Sequence, residues 1–451
     1  MINFDNVNKA NGLYSFLYRY IQFARNMIFY RNFYVIGKEK LPKDEGYLVV
    51  CNHQDGLCDA LGILFTVGVK HGPVFIARGD IFKKDGLAKL LRFFRIMPAF
   101  RVRDAGYEGL GQNDAIFEQS ARILNEGDVV ALFPEAGHQR GRFLARFRKG
   151  FARIAFRAAE ENRFSKPLKI VPMAHHYSNY FNAQSQMLMV VGDPFDISDL
   201  YELYKTDANK AIAQLNERGH EKIKELMLDI SDSGHYDQYE LLCTMHRRPW
   251  LKAHGMNPLY FPNELTADKA IVAALDEYKT KEPEAFDSLM EQTARYGHLL
   301  KQLKLRDWIF TRRFMGGFPW LWLYILLLAP LFLYSFLCNL VPLIVTQAIV
   351  NKVKDKMFHA SVRLVVTIFI LPVWYLILFA VCWICTKTWW IALAFLVTLY
   401  PSFILYVRAK IYFLKMYNRT RRFFLKLAHN PLLAQAEALR RDVVARLGKC
   451  F

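Results

Sequence analysis

Three long apolar runs near the end of the chain constrain it most. The first extends from Phe318 to Val345 and is interrupted by Pro330 and Pro342, the second from Leu364 to Cys385, and the third from Trp389 to Val407. Each meets or approaches the roughly 20 residues needed to cross a hydrocarbon core about 30 Å thick. None carries the polar stripe of an amphipathic helix, which argues against three buried core helices. They contain essentially no ionisable residue, which argues against an ion or substrate path and so against a transporter. Cys382 and Cys385 have a redox-like spacing, but inside an apolar run they read as packing or lipid-facing residues.

Charge placement limits how these runs cross. Lys352, Lys354, Lys356 and Arg363 lie between the first two, and Arg408, Lys410, Lys415, Arg419, Arg421, Arg422 and Lys426 follow the third. Only Lys387 separates the second from the third. Under the positive-inside tendency both basic segments belong in the cytoplasm, so Leu364–Val407 reads as a two-span hairpin. The first run then enters and leaves on one side or lies flat, and its prolines suit a bent course. A plain three-span topology is the alternative, and it leaves the basic tail outside. The start of the chain, MINFDNVNKANG, lacks a basic stretch followed by an apolar core, so no secretory signal is expected. The expected location is therefore an integral membrane protein with residues before the spans on the cytoplasmic face.

The rest of the chain changes character several times. Leu13–Val35 mixes aromatic residues with Arg19, Arg25 and Arg31 and reads as a helix at a membrane interface or packed on a core. Short runs rich in Val, Ile and Leu follow: Tyr47–Cys51, Val74–Ile76, Val129–Phe133, Ile170–Ala174 and Met187–Val191. Continuous apolar runs suit strands buried on both faces, and their alternation with helical stretches predicts an α/β layer fold. Residues from Asp193 to about Arg312 are charged and helical in pattern and carry no catalytic spacing. The expected segments are an N-terminal interfacial helix (1–33), an α/β domain (34–194), a helical extension (195–315), an all-α membrane region (316–407) and a basic cytoplasmic tail (408–451).

Two clusters carry chemistry. Asn52-His53-Gln54-Asp55-Gly56-Leu57-Cys58-Asp59 joins a strand-like run to a helix-like one. Histidine is the usual general base near neutral pH, and a nearby carboxylate can orient it. The spacing leaves Asp55 and Asp59 both open for that role. Cys51 and Cys58 read as buried spacers rather than nucleophiles. The second cluster is Phe133-Pro134-Glu135-Ala136-Gly137-His138-Gln139-Arg140-Gly141-Arg142, after which Arg146, Arg148, Lys149, Arg153 and Arg157 follow without an acid among them. Guanidinium groups beside a glycine-containing turn suit a phosphate. For Arg146, Arg153 and Arg157 a solvated or membrane-facing helix surface is the better reading. A further basic patch, Arg78, Lys83, Lys84, Lys89, Arg92, Arg95, Arg101 and Arg103, interleaves with apolar residues and suits an anionic lipid surface or an acyl groove.

Asn52-His53-Gln54 with Asp59, followed by Phe133-Pro134-Glu135, resembles the glycerophospholipid acyltransferase family, the glycerol-3-phosphate and lysophosphatidate acyltransferases. Val35-Ile36-Gly37 with Leu41-Pro42, Phe75-Ile76-Ala77-Arg78, Phe147-Arg148-Lys149-Gly150 with Ala152-Arg153-Ile154-Ala155, and Ile170-Val171-Pro172-Met173-Ala174 resemble further family segments in the same order. The resemblance covers roughly Tyr34 to Pro194. It departs from the usual pattern in having five residues rather than four between His53 and Asp59, Asp55 where many members have Ser, and Ala136 before Gly137. These differences bear on the acceptor more than on the reaction.

The resemblance implies an α/β acyltransferase domain followed by the helical extension and the membrane region. It also implies acyl transfer from acyl-CoA or acyl carrier protein to a hydroxyl of glycerol 3-phosphate or lysophosphatidate. His53 would be the general base and Asp59 would hold its ring. Arg78 and Arg140, with Arg142 as alternate, would bind the acceptor phosphate, while Phe133, Pro134, Glu135 and Gly137 shape its pocket. No cofactor or metal is expected. A metal-dependent hydrolase using His53, Asp55, Asp59 and Glu135 is the weaker alternative, since His138, His175 and His176 lack ligand spacings. With 60 Lys and Arg against 41 Asp and Glu, the chain needs an acidic partner, and anionic membrane lipid fits the aliphatic-interleaved patches better than nucleic acid.

Overall fold

The computed structural model describes residues 4, 7–9, 11–70, 72–100, 111–138, 141–311, 318–448 and 450. Arg101, Arg103, Arg140 and Arg312 lie outside them. The chain forms two compact units: Met1–Asp229 with Lys352–Ile368, and Ile230–Asn351 with Phe369–Phe451.

The first unit is built on one mixed sheet. Helix α1 (Gly12–Phe23) precedes strands β1 (Asn32–Ile36) and β2 (Tyr47–Cys51), helix α2 (Gly56–Val67), β3 (Val74–Arg78), α3 (Asp85–Phe93), β4 (Ile96–Ala99), α4 (Gly111–Asn125) and β5 (Val129–Leu132). Then come α5 (Gly150–Glu161), β6 (Lys169–Tyr177), β7 (Gln186–Val191), β8 (Phe195–Asp196), α6 (Tyr201–Thr206) and α7 (Ala208–Lys224). The strand order is β1-β7-β6-β2-β5-β3-β4, with β8 beside β6. β6 runs antiparallel to β7 and β8, and the other pairs are parallel.

The five apolar runs noted in the sequence are five of these strands. β2 and β5 are buried along their whole length. Alternate side chains serve two cores. Leu48, Val50, Val130, Leu132 and Ile170 pack with α4, α5 and α7 on one face. Tyr47, Val49, Cys51, Val129, Ala131, Val171 and Met173 join Ile63 of α2 on the other. This two-sided burial is why the runs are continuously apolar. Helix α5 buries Phe151, Ala152, Ile154, Ala155, Phe156, Ala158 and Ala159. Arg153 and Arg157 are on its exposed side, where Arg157 pairs with Glu118 at 2.5 Å.

The helical reading of Leu13–Val35 needs correction. Helix α1 passes into a wide π-type turn, Ala24–Phe29, and Asn32–Ile36 is an edge strand parallel to β7. Arg25 is fully buried there, its guanidinium 4.3 Å from the Phe33 ring centre and 4.8 Å from that of Tyr30. It therefore serves the core and not an interface. The pairing partner of β1 lies about 150 residues away, so local pattern cannot reveal the strand.

The second unit is helical. Helices α8 (Tyr236–Ala253), α9 (Phe261–Lys281) and α10 (Pro283–Leu303) precede the apolar helices α11 (Phe318–Leu327) and α12 (Ala329–Lys352). The short α13 (His359–Val365) belongs to the first unit, and α14 (Leu371–Thr386), α15 (Trp389–Leu427) and α16 (Pro431–Leu447) complete the second. Arg247 forks onto Asp268 at 2.7 Å and reaches Glu264 at 2.9 Å. Arg440 binds Asp307 at 2.7 Å. Among the described residues, three segments are long and apolar enough to cross a membrane: Ala329–Lys352, Lys356–Thr386 and Trp389–Leu427. Many of their large apolar side chains are uncovered, Ile384 and Val397 among them. Their buried polar groups are tied together. Asn339 donates to Ser402 Oγ at 3.1 Å and accepts from Tyr375 OH at 2.8 Å, and Trp374 donates to the Cys338 carbonyl at 2.8 Å. Such side-chain bonds hold apolar helices together where solvent hydrophobicity cannot.

Candidate active site

The site sits where the sheet changes direction. From β2 the chain crosses to β3 on one side, and from β5 it crosses to β6 on the other. The carboxyl ends of β2 and β5 therefore flank a topological switch point, where open α/β sheets bind ligands. His53 follows β2, and Phe133, Pro134 and Glu135 follow β5.

Asp59, in the first turn of α2, is the hub. Its Oδ2 accepts from His53 Nδ1 at 2.9 Å, from the Gln54 amide at 2.7 Å and from the Asp55 amide at 2.8 Å. Its Oδ1 accepts from Tyr177 OH at 2.5 Å. Burial alone would raise this carboxyl, but the His175 and His53 rings and the Tyr177 hydroxyl outweigh burial and hold it down at about 2. Asp59 is thus a buried anion. It takes the Nδ1–H of His53 and leaves Nε2 as the ring's acceptor, the tautomer a general base requires.

The other carboxylate left open by the spacing behaves differently. Asp55 is pushed up to about 8, by burial and then by the Asp59 charge, so it is a neutral acid near pH 7. Burial, with the charge of Asp59 or Asp55 beside them, also drives the Cys51 and Cys58 thiols far above their ordinary range. Both are fully buried, so neither offers a thiolate.

The His53 ring is fixed from several sides. Phe133 stacks on it at 3.9 Å between ring centres with planes 9° apart. Glu135 Oε1 accepts from the His53 amide at 2.7 Å, and Oε2 accepts from the Ala145 amide at 3.0 Å. Glu135 therefore ties the two loops of the site together. Behind it, His175 donates its backbone amide to Asn52 Oδ1 at 2.8 Å, and its Nε2 meets the Asp59 carbonyl at 3.0 Å. Gly62 lets α2 approach this wall, since a Cβ there would meet the Met187 methyl at 2.4 Å and His175 Nε2 at 3.1 Å.

The remaining sequence-derived candidates are less uniform. Arg78 ends β3 exposed and paired with Asp80. Arg142 is half-buried in the loop after the glutamate. Gly137 has open space where a Cβ would stand, so no steric need for glycine appears there. Ala136 adopts φ 53°, a left-handed conformation that favours glycine.

The sequence assigned no role in the pair's surroundings to four contributors, of which it had singled out only His138 and His175. Tyr177 and His175 lie at the end of β6, beside β2, on the same face by strand alternation. Polar residues ending an otherwise apolar strand were the available signal. His138 stands 4.2 Å from His53 between ring centres, and burial, then the His53 charge, lowers it to about 4. Ser361 had no sequence signal, because it arrives from more than 300 residues away.

Residues 32–176 match the family model described as Acyltransferase. That segment is an acyltransferase domain. Its extent coincides with β1 through β6, and it bears out the resemblance to the glycerophospholipid acyltransferases, so the chain is an acyltransferase. A curated relative, the 1-acyl-sn-glycerol-3-phosphate acyltransferase of Bacillus subtilis (strain 168), is 24% identical over 198 residues, 43% of this chain and 86% of that protein. The 1-acyl-sn-glycerophosphate (LPA) acyltransferase PlsC from Thermotoga maritima aligns at 19% identity and a TM-score of 0.31, covering 46% of this chain and 80% of that one. The matched segment contains every described candidate residue except Ser361 and Tyr177, which is the next residue after it.

Proposed function

We propose that this acyltransferase is membrane-bound and moves an acyl chain from a thioester, acyl-CoA or acyl carrier protein, to the free hydroxyl of a 1-acylglycerol 3-phosphate. The observation that carries the mechanism is the His53–Asp59 pair, 2.9 Å apart with Asp59 held anionic in a buried site. The acceptor hydroxyl loses its proton to His53 Nε2 as its oxygen bonds to the thioester carbonyl carbon. The tetrahedral intermediate collapses, the C–S bond breaks, and the thiolate takes the proton back from His53. Asp59 stabilises the imidazolium between these steps, help worth about 10²–10⁴-fold. Arg78 and Arg142 would hold the acceptor phosphate, Arg78 exchanging its Asp80 partner for it. Arg140 would assist from outside the described residues. Phe133, Pro134, Glu135 and Gly137 would shape the acceptor pocket.

The relative's name favours the 1-acylglycerol phosphate over glycerol 3-phosphate as acceptor. The catalytic face would be cytoplasmic, with the apolar helices as its membrane attachment. Radiolabelled acyl transfer with purified wild type and His53→Ala, palmitoyl-CoA or palmitoyl carrier protein, and the two acceptors tests the reading. Product from lysophosphatidate that vanishes in His53→Ala is expected. Activity retained by a folded His53→Ala protein removes the base assignment.

A further inference from the structure

We infer that Ser361 is a positioning residue for the His53–Asp59 pair, reaching it from the segment that links the first apolar helices to the second. The inference rests on the base role proposed for His53.

Helix α2 carries Asp59 and starts at Gly56, with Asp55 at its N-cap. An N-cap aspartate ordinarily accepts from the amides of the first turn. Asp55 does not cap its own helix. The cap comes instead from Ser361, whose Oγ accepts from the Leu57 amide at 2.9 Å. The same hydroxyl donates to Asp55 Oδ1 at 2.7 Å. One side chain thus holds two residues, Asp55 and Leu57, within the turn between His53 and Asp59. The next link is direct, since the Asp55 amide donates to Asp59 Oδ2, the oxygen that holds His53 Nδ1.

The segment around Ser361 is anchored, so its hydroxyl is delivered at a fixed place. Asp355 Oδ1 accepts from the Met357 amide at 3.1 Å and starts the turn. Ala360, Leu364 and Ile368 are buried in one cluster with Cys58, Leu61 and Phe65, three residues of α2. A Cβ on Gly56 would stand 2.7 Å from the Phe358 ring, so the segment lies directly on the start of α2. Phe358 also meets the His138 ring edge-on, 4.6 Å between ring centres, and that ring stands 4.2 Å from His53.

An outside brace has a chemical use because five residues separate His53 from Asp59. Their turn must fold two amides and the imidazole onto one carboxylate oxygen. A misplacement near 1 Å at such a pair costs about 10²-fold in rate. Because the Asp55 carboxyl does not accept from it, the Leu57 N–H is satisfied by Ser361 instead.

The test measures acyl transfer by the full chain in lipid vesicles for wild type, His53→Ala, Ser361→Ala, Ser361→Cys and Ser361→Thr, with melting curves for each. Cysteine keeps the shape and weakens both hydrogen bonds, and threonine keeps the hydroxyl. Ser361→Ala and Ser361→Cys are expected to lower kcat by at least about tenfold while acceptor KM stays within about threefold. Ser361→Thr is expected to keep about half of wild-type kcat. Asp55→Ala and the Asp55→Ala/Ser361→Ala double variant should be equally slow, because both break one linkage. Unchanged kcat in Ser361→Cys, a defect confined to KM, or additive losses in the double variant overturns the inference while leaving the His53 reading intact. Full activity in His53→Ala overturns both.

Discussion

At the scale of single residues, two carboxylates four positions apart have been driven in opposite directions by what surrounds them. Asp59 gathers three N–H donors on one oxygen, and an amide in its place would be neutral. Asp59→Asn is expected to lower kcat by at least about 100-fold, with smaller change in acceptor KM. Asp55 holds a proton in the fold up to about pH 8, whereas an unfolded aspartate releases it near pH 3.9. The folded state binds the extra proton between those values, so this group makes stability fall as pH rises through that window. His138 works the other way: its folded value of about 4 lies below the ordinary 6.5, so stability gained from it rises only up to about pH 6.5. The range from about pH 6.5 to 8 therefore reports Asp55. Melting temperature in that range should fall for wild type and level out for Asp55→Asn; equal slopes would remove the assignment. Ala136 offers a third check. Relieving its left-handed conformation with Ala136→Gly should raise stability by up to about 1 kcal/mol in denaturant unfolding. These roles were only half legible in the sequence. His53, Asp59 and Glu135 stood in recognisable order, but nothing in the spacing separated Asp55 from Asp59. The separation comes from the amides, from Tyr177 and from Ser361, which are contacts that exist only once the sheet and α2 are in place.

At the scale of elements, legibility followed burial. β2, β3, β5, β6 and β7 are runs of Val, Ile, Leu and Met because both faces of the sheet are covered, and such runs need no partner to be noticed. β1, β4 and β8 are short or at edges and owe their form to a neighbour, which is why Asn32–Ile36 read as the end of a helix. The helix before it retains the character the sequence suggested along one edge. Leu13, Phe16, Phe23 and Met27 are all more than half exposed, while Tyr14, Tyr18 and Ile21 face the core. An uncovered apolar stripe beside Arg19 suits the headgroup region of an anionic bilayer. Phe16→Glu with Phe23→Glu should raise the apparent KM for acceptor presented in anionic vesicles severalfold and leave the melting temperature within about 2 °C. An unchanged KM would remove the interfacial role of α1.

At the scale of the whole molecule, chain connectivity bears on how the apolar helices cross. If nothing before Ala329 crosses, the chain is expected to reach Phe318 on the same side as its acyltransferase domain. The segment Lys352–Ile368 belongs to the catalytic unit, which predicts that the chain is back on that side by Lys352. On this reading Phe318–Asn351 has both ends on one face, even though α12 alone, with 24 residues, is about 36 Å long and runs unbroken through Pro342. That length could cross once, but a single crossing would carry Ser361 to the face opposite Asp55, and the two are hydrogen-bonded. Helices α14 and α15 have no such restriction. Lys387 turns between them, and the basic run from Arg408 follows, as the positive-inside tendency prefers. The expected result is therefore two crossings with α11 and α12 re-entering or lying along the surface. Single cysteines at Thr311, Lys354 and Lys387, in a background lacking the native cysteines, should separate into two groups when sealed vesicles meet a membrane-impermeant maleimide. Thr311→Cys and Lys354→Cys should react together, and Lys387→Cys from the opposite side. Opposite labelling of the first two would mean that α12 crosses, and the Ser361–Asp55 contact could then not form in the membrane-embedded enzyme.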